Sequence, residues 1–167
     1  MNLYPKIYLQ NVQEITYEML EKNGILGLIL DVDNTLIDYY KNMPEGILEW
    51  CTNLKQKGIK FCIASNSNKK EKVEMVAKKL DIPYVYFAKK PLKRGLITAS
   101  NKMGLESNKI AVAGDQIFTD VLGANRVGMF SILVEPIEEK DILITLIKRP
   151  IENRIKRKYG EKNQEGE

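Results

Sequence analysis

Apolar and polar positions along the chain switch repeatedly between a helical and a strand period, and each switch predicts a new element. Asn11, with Glu14 three residues on, predicts a first helix running to Lys22 and stopped by Gly24. "GLILD" (from Gly27) reads as a buried strand. "MPEGILEWCTNLKQKG" carries Pro44 near its start, Ile47, Cys51 and Leu54 at helical spacing, and Gly58 as its stop. A second strand, "IKFCIAS", precedes "KKEKVEMVAKKL", whose Val73, Val76, Ala77 and Leu80 share one helical face. Short "YVYFA" follows, then a helix from about Leu92 to Met103 closed by Gly104. "KIAVAGD" is another buried strand, "TDVLGANRVG" a short helix and "MFSILVE" a last strand.

Continuously apolar strands alternating with amphipathic helices predict an α/β fold, Rossmann-like and three-layered, around a mostly parallel sheet. Ligands in such folds bind at the carboxyl ends of the strands, and the chemistry-bearing residues of this chain fall there. Asp31 and Asp33 follow "LIL", Ser65 and Asn66 follow "FCIA", Lys89 and Lys90 follow "YVYFA", and Asp115 follows "IAVAG". Each has a bland reading taken singly: strand-end acids form turns, a Ser-Asn pair caps a helix, and a lysine is solvated. Asp120 reads equally as a helix-start residue facing the dipole. Their order on successive strand ends of one sheet edge favours a site.

The 167 residues predict one domain over 1–160, with "GEKNQEGE" pointing to a disordered polar tail at 161–167. No apolar run reaches bilayer-spanning length and the N-terminus lacks the pattern of a secretion signal, so the expected compartment is the cytoplasm. Cys51 and Cys62 show neither disulfide-framework nor metal-ligand spacing and read as core residues. The chain has no histidine, which excludes a Ser-His-Asp triad, His-ligated zinc and a histidine nucleophile. A cysteine phosphatase needs Cys, five residues, then Arg, but Lys57 and Asn68 stand at that distance from Cys51 and Cys62. A formal net charge of +4 is too weak to imply nucleic acid.

Asp31, Asp33, Asp115 and Asp120 would bring as many as four negative charges to the edge where Lys90 brings one positive. Two unit charges 4 Å apart interact by about 4 kcal/mol at an effective dielectric near 20, so an anion needs a cation to enter. With oxygen-only ligands, Mg²⁺ fits. A carboxylate beside such a metal can attack phosphorus and become an aspartyl-phosphate, while a second acid protonates the leaving oxygen and then activates water.

"DVDNT", "SN" after a strand, "KKP" and "GDQIFTD", in that order between Gly24 and Val134, resemble the four motifs of the haloacid dehalogenase (HAD) phosphatase superfamily. The wording of "DVDNTL", "ASNS", "KKP" and "AGDQIFTDVLGAN" most resembles the YqeG-type branch of subclass IIIA, similar to mitochondrial phosphatidylglycerophosphate phosphatase. The resemblance implies Asp31 as nucleophile and Asp33 as general acid/base. It implies Mg²⁺ on Asp31, the Asp33 backbone carbonyl and Asp115, and phosphoryl binding by Ser65, Asn66 and Lys90. The resemblance also implies Lys90, immediately before Pro91 as the subclass pattern has it, rather than its neighbour Lys89; adjacent side chains on an extended segment point oppositely, so one of the two faces the site. Asp120 is expected to support the metal waters or Lys90, and Thr35 to orient the first motif through its hydroxyl.

Leu36 to Phe61 leaves room for only a loop and a helix, and Ser67 to Lys90 for a helix and a short strand, so no cap domain fits. An uncapped site suits a phosphate carried on something large, and with the resemblance this makes phosphatidylglycerophosphate the expected substrate. Soluble sugar phosphates, nucleotides and phosphoproteins are the alternatives within the enzyme class. A non-hydrolytic phosphate-gated module is the alternative outside it. Ile144, Ile147, Ile151, Ile155 and Tyr159 form an apolar stripe flanked by basic residues, which reads as a solvated face or as a peripheral membrane contact.

Overall fold

The computed structural model describes residues 2–138 and 153–160. Six strands form one sheet: β1 (Ile7–Leu9), β2 (Gly27–Leu30), β3 (Lys60–Ala64), β4 (Tyr84–Val85), β5 (Ile110–Gly114) and β6 (Phe130–Val134). Their spatial order is β1-β6-β5-β2-β3-β4, and every pairing is parallel. The central strands are buried along their length because helices cover both faces. Leu28 and Leu30 of β2 join a cluster with Ile47, Cys51 and Val73, whereas Ile29 between them joins Leu96, Ala99 and Ala124. The period-2 alternation of β2 thus supplies two cores, and each fully buried Leu or Ile contributes roughly 1.5–3 kcal/mol.

The helices α1 (Tyr17–Lys22), α2 (Ile47–Gln56) and α3 (Lys70–Leu80) pack on the first face; α4 (Lys93–Met103) and α5 (Leu122–Val127) pack on the second. The chain is therefore a three-layer α/β fold. Between β2 and β3 lies α2, and between β3 and β4 lies α3, so no cap domain interrupts the core. Cys51 and Cys62 are free and buried in the two clusters, and burial pushes their thiols up to about 11 and about 12.

Two local expectations change. The predicted helix from Asn11 to Lys22 is split into a 3-10 turn at Val12–Glu14 and α1, with Ile15 extended between them. Val12 and Ile15 are 1 % and 0 % exposed, and burying both side chains outweighs the continuous helical register. The cap moves accordingly to Thr16, whose Oγ1 accepts from Met19 N at 3.2 Å. The short strand β1, which pairs with β6, was not evident in the sequence because its side chains are only half buried and three residues show little period.

Of the C-terminal apolar stripe, Ile144, Ile147 and Ile151 lie outside the described residues, as does the segment 161–167. Residues 153–160 are helical and turn part of the stripe inward. Ile155 packs with Tyr8, Ile117 and Leu133, Lys156 pairs with Glu135 at 2.9 Å, and the Tyr159 hydroxyl donates to Lys6 O.

Candidate active site

Strand pairing of β2 ends at Leu30, and the chain beyond it turns at Asn34, which takes φ +60°. Asparagine tolerates that left-handed conformation better than most residues. The turn separates the two acids that a straight strand would point the same way. Asp31 stays at the sheet edge with its side chain 13 % exposed, and one carboxylate oxygen accepts from Lys90 Nζ at 3.0 Å. Asp33 stands 55 % exposed and is gripped instead by Lys72 of α3, at 2.7 and 2.9 Å.

Lys90 reaches the site from the loop after β4. Phe87 and Lys89 take φ +49° and +56°, and the segment alternates in and out. Ala88 and Lys90 are each 4 % exposed, while Phe87 and Lys89 face solvent. The choice of Lys90 over Lys89 therefore agrees with the geometry. The start of α4 lies against this loop at Gly95, where a Cβ would stand 2.3 Å from the Ala88 carbonyl oxygen. Asn66 holds the same loop from below: its Nδ2 donates to Lys90 O at 2.8 Å, and its Oδ1 accepts from Lys90 N at 2.7 Å. Its side-chain amide is thus engaged with the Lys90 backbone, and Asn66 clamps the loop that carries Lys90. Ser65, buried at the tip of β3, accepts from Ser67 N through its Oγ at 3.1 Å, leaving its hydroxyl proton available.

Asp115, at the end of β5, is buried and lies beside Asp31 through a shared neighbour. The Thr35 hydroxyl sits 3.3 Å from Asp115 Oδ1 and 3.5 Å from Asp31 Oδ2. Asp120 enters from a π-helical turn at Ile117–Val121, and its Oδ1 accepts from Lys90 Nζ at 2.6 Å. Gly114 makes room for it, since a Cβ there would be 2.2 Å from the Asp120 carboxylate carbon. Asp120 therefore supports Lys90 directly, at the centre of the site.

Asp31, Asp115 and Asp120 each offer a carboxylate oxygen within 4.8 Å of the other two. Against these three acids the pocket sets, among the described residues, the single ammonium of Lys90, an excess of negative charge that is costly away from water. Burial, followed by repulsion from Asp120, raises the Asp31 carboxyl from 3.8 to about 6, even though Lys90 opposes both. Burial alone would lower the Lys90 ammonium, but Asp120 and then Asp31 outweigh it and hold the amine charged, above its usual range. An all-oxygen cluster with surplus negative charge is the donor set a hard divalent cation takes. The Asp33 carboxylate lies outside that cluster, so only its backbone carbonyl is left for the metal role expected of this residue.

Comparison with known proteins agrees with this architecture. The family model described as mitochondrial PGP phosphatase matches residues 1–138. The Probable phosphatase YqeG of Bacillus subtilis (strain 168) is 38% identical over 152 residues, spanning 90% of this chain and 88% of that protein. The chloroplastic/mitochondrial phosphatidylglycerophosphate phosphatase 1 of Arabidopsis thaliana is 25% identical over 158 residues, 87% of this chain but 45% of that longer protein. The crystal structure of a HAD-superfamily hydrolase from Ehrlichia chaffeensis superposes with a TM-score of 0.55 at 18% identity, covering 80% of this chain and 97% of that one. At that identity the likeness speaks for the fold.

Proposed function

The chain belongs to the mitochondrial PGP phosphatase family, and from that membership we propose that it hydrolyses the terminal phosphomonoester of phosphatidylglycerophosphate to give phosphatidylglycerol. It is a phosphatase of HAD type. The observation that carries it is the meeting of Asp31, Asp115 and Asp120 with Lys90 at one sheet edge.

Asp31, Asp115 and Asp120, with the Asp33 carbonyl, are the groups that would hold Mg²⁺. When bound, the ion supplies the positive charge that lets a phosphate approach three carboxylates. An Asp31 oxygen attacks phosphorus as the bond to the glycerol oxygen breaks, and Asp33, having left Lys72 and taken a proton from solvent, gives that proton to the leaving oxygen. Asp33 then takes a proton from water, which attacks the aspartyl-phosphate, releases inorganic phosphate and restores the Asp31 carboxylate. Asp33 begins in an exposed pair with Lys72; such pairs are worth about 0.2–1 kcal/mol, so the carboxyl leaves it readily. Lys90 and the Ser65 hydroxyl hold the phosphoryl oxygens as charge moves onto them. Lys90 is already fixed from the other side by Asp120, so little reorganisation accompanies the reaction.

Phosphate release from phosphatidylglycerophosphate in detergent micelles, with Mg²⁺ and with chelator, tests the reading directly. Turnover is expected with the ion alone. Asp31→Asn abolishes it, and Asp33→Asn slows both formation and breakdown of the phosphoenzyme with the fold intact. Efficient hydrolysis of soluble esters only would remove the lipid assignment, and unchanged rates in Asp31→Asn would remove the mechanism.

A further inference from the structure

Exposed aromatic side chains are costly on a soluble surface unless something covers them. Among the described residues, the exposed aromatics are Tyr39, Tyr40, Tyr86 and Phe87, from 42% to 71% exposed. They occupy only the loops after β2 and β4, both at the carboxyl edge that holds the site. Leu92 and Ile137 are exposed on that edge too, at 57% and 37%. Ile137 N donates to Asn34 O at 2.9 Å, which ties its segment to the turn after β2.

Lysines are interleaved with these rings. Lys89 Nζ lies 4.7 Å above the Phe87 ring and Lys70 Nζ 6.0 Å from the Tyr86 ring. Tyr39, Lys41, Lys69 and Lys72 line a groove of about 530 Å³ that opens onto Asp33. Phe87 N donates to Ser67 O at 2.8 Å, joining the loop after β4 to the approach of α3. With the Asp33–Lys72 pair and Lys90 left aside as parts of the site, segments 34–46, 66–71, 86–94 and 135–138 carry six basic residues against five acidic ones, Asp38, Glu45, Glu71, Glu135 and Glu138. Aromatic rings with a polar or cationic partner suit the headgroup layer of a bilayer, where rings sink and ammonium groups stay at the phosphates.

We propose that this aromatic and lysine rim around the open active site is a docking surface for an anionic lipid bilayer, seating the site face-down on its substrate. The proposal rests on the lipid-phosphate reading for its purpose, but the docking is measurable without turnover. It assigns the contact to the loops 38–41 and 86–92 together with Lys69 and Lys70. The basic C-terminal segment is not needed, since its described part spends Ile155, Lys156 and Tyr159 on the domain itself.

The test is sedimentation of the full-length chain with vesicles of phosphatidylcholine, with and without about 30 % phosphatidylglycerol. Wild type is expected to bind the anionic vesicles, to release with salt, and to ignore the neutral ones. Each lysine near an anionic surface is worth roughly fivefold in partitioning, so Lys41→Ala/Lys70→Ala/Lys89→Ala should bind on the order of 100-fold more weakly. Tyr40→Ser/Phe87→Ser should also bind more weakly and should release at lower salt than wild type. Both variants should keep the unfolding midpoint and the turnover of soluble p-nitrophenyl phosphate. Failure of wild type to bind, wild-type binding by the triple variant, or loss of binding on Arg154→Ala/Arg157→Ala/Lys158→Ala alone would overturn the proposal. So would retention by soluble polyglutamate without retention by vesicles, which would mark an acidic protein as the partner. The lipid-substrate reading fails separately: a protein that docks but leaves phosphatidylglycerophosphate in micelles intact keeps the surface and loses the substrate.

Discussion

Lys90→Met removes the one ammonium from a pocket of three carboxylates at nearly constant side-chain length. Its Nζ lies 3.0 Å from Asp31 and 2.6 Å from Asp120, with the side chain 1% exposed. At an effective dielectric of about 20 those contacts amount to roughly 12 kcal/mol of gross attraction. Taking the ammonium out of water costs several kcal/mol, and deleting one partner of a buried ion pair has a net cost of about 3–5 kcal/mol. For a chain of this size that lowers the melting temperature by roughly 6–20 °C, read by calorimetry in chelator. Mg²⁺ should then raise the variant's midpoint more than that of wild type, because the carboxylates no longer share their charge with an amine. Turnover at saturating Mg²⁺ should nevertheless fall about 10²–10³-fold, the usual cost of one missing donor to the developing oxyanion. The two readouts move oppositely, so a purely structural role cannot imitate the result. Turnover within threefold of wild type would refute the assignment of Lys90 to the phosphoryl group. A midpoint indifferent to Mg²⁺ in both proteins would refute the carboxylate cluster as a cation site.

Three further outcomes are expected. The Asp31 carboxyl, raised from 3.8 to about 6 chiefly by burial, favours the folded state while protonated; that stability is whole below pH 3.8 and is lost as pH rises through 6, about 3 kcal/mol in all. Metal-free wild type should therefore lose more stability between pH 4 and 7 than Asp31→Asn does, and equal slopes in denaturant titrations would contradict the burial argument. Gly114→Ala places a Cβ 2.2 Å from the Asp120 carboxylate carbon, so Asp120 must leave Lys90 and turnover should drop at least tenfold; full activity would mean Asp120 is dispensable. Asn66→Ala deletes two hydrogen bonds to the Lys90 backbone, each worth about 1 kcal/mol, and should lower kcat and the unfolding midpoint together, whereas a rise in KM alone would mark Asn66 as a phosphate ligand instead.

Much of the fold was legible in the chain because its strands are buried on both faces and read as unbroken apolar runs, "GLIL" and "IAVAG" above all. The rule that parallel sheets bind ligands at their carboxyl ends then drew together Asp31, Asp33, Ser65, Asn66, Lys89, Lys90 and Asp115, and the resemblance to the HAD motifs singled out Lys90 from its neighbour. The amino-terminal segment was less legible, because the burial of Val12 and Ile15 that splits the predicted helix is a tertiary matter.

Which residue types stand at the strand ends, and hence the class of chemistry available, follows from the sequence by itself: side-chain period and charge are local properties. Which of those residues meet does not. The turn at Asn34 sends Asp33 to Lys72 and leaves Asp31 to Lys90, although both acids end the same strand. The contact of Gly114 with Asp120 draws a helix-start acid into the centre, and the in-out alternation of Phe87 to Lys90 spends Asn66 on backbone. Those outcomes depend on distances of a few ångströms between segments far apart in the chain. Only packing of the sheet, loops and helices together determines them.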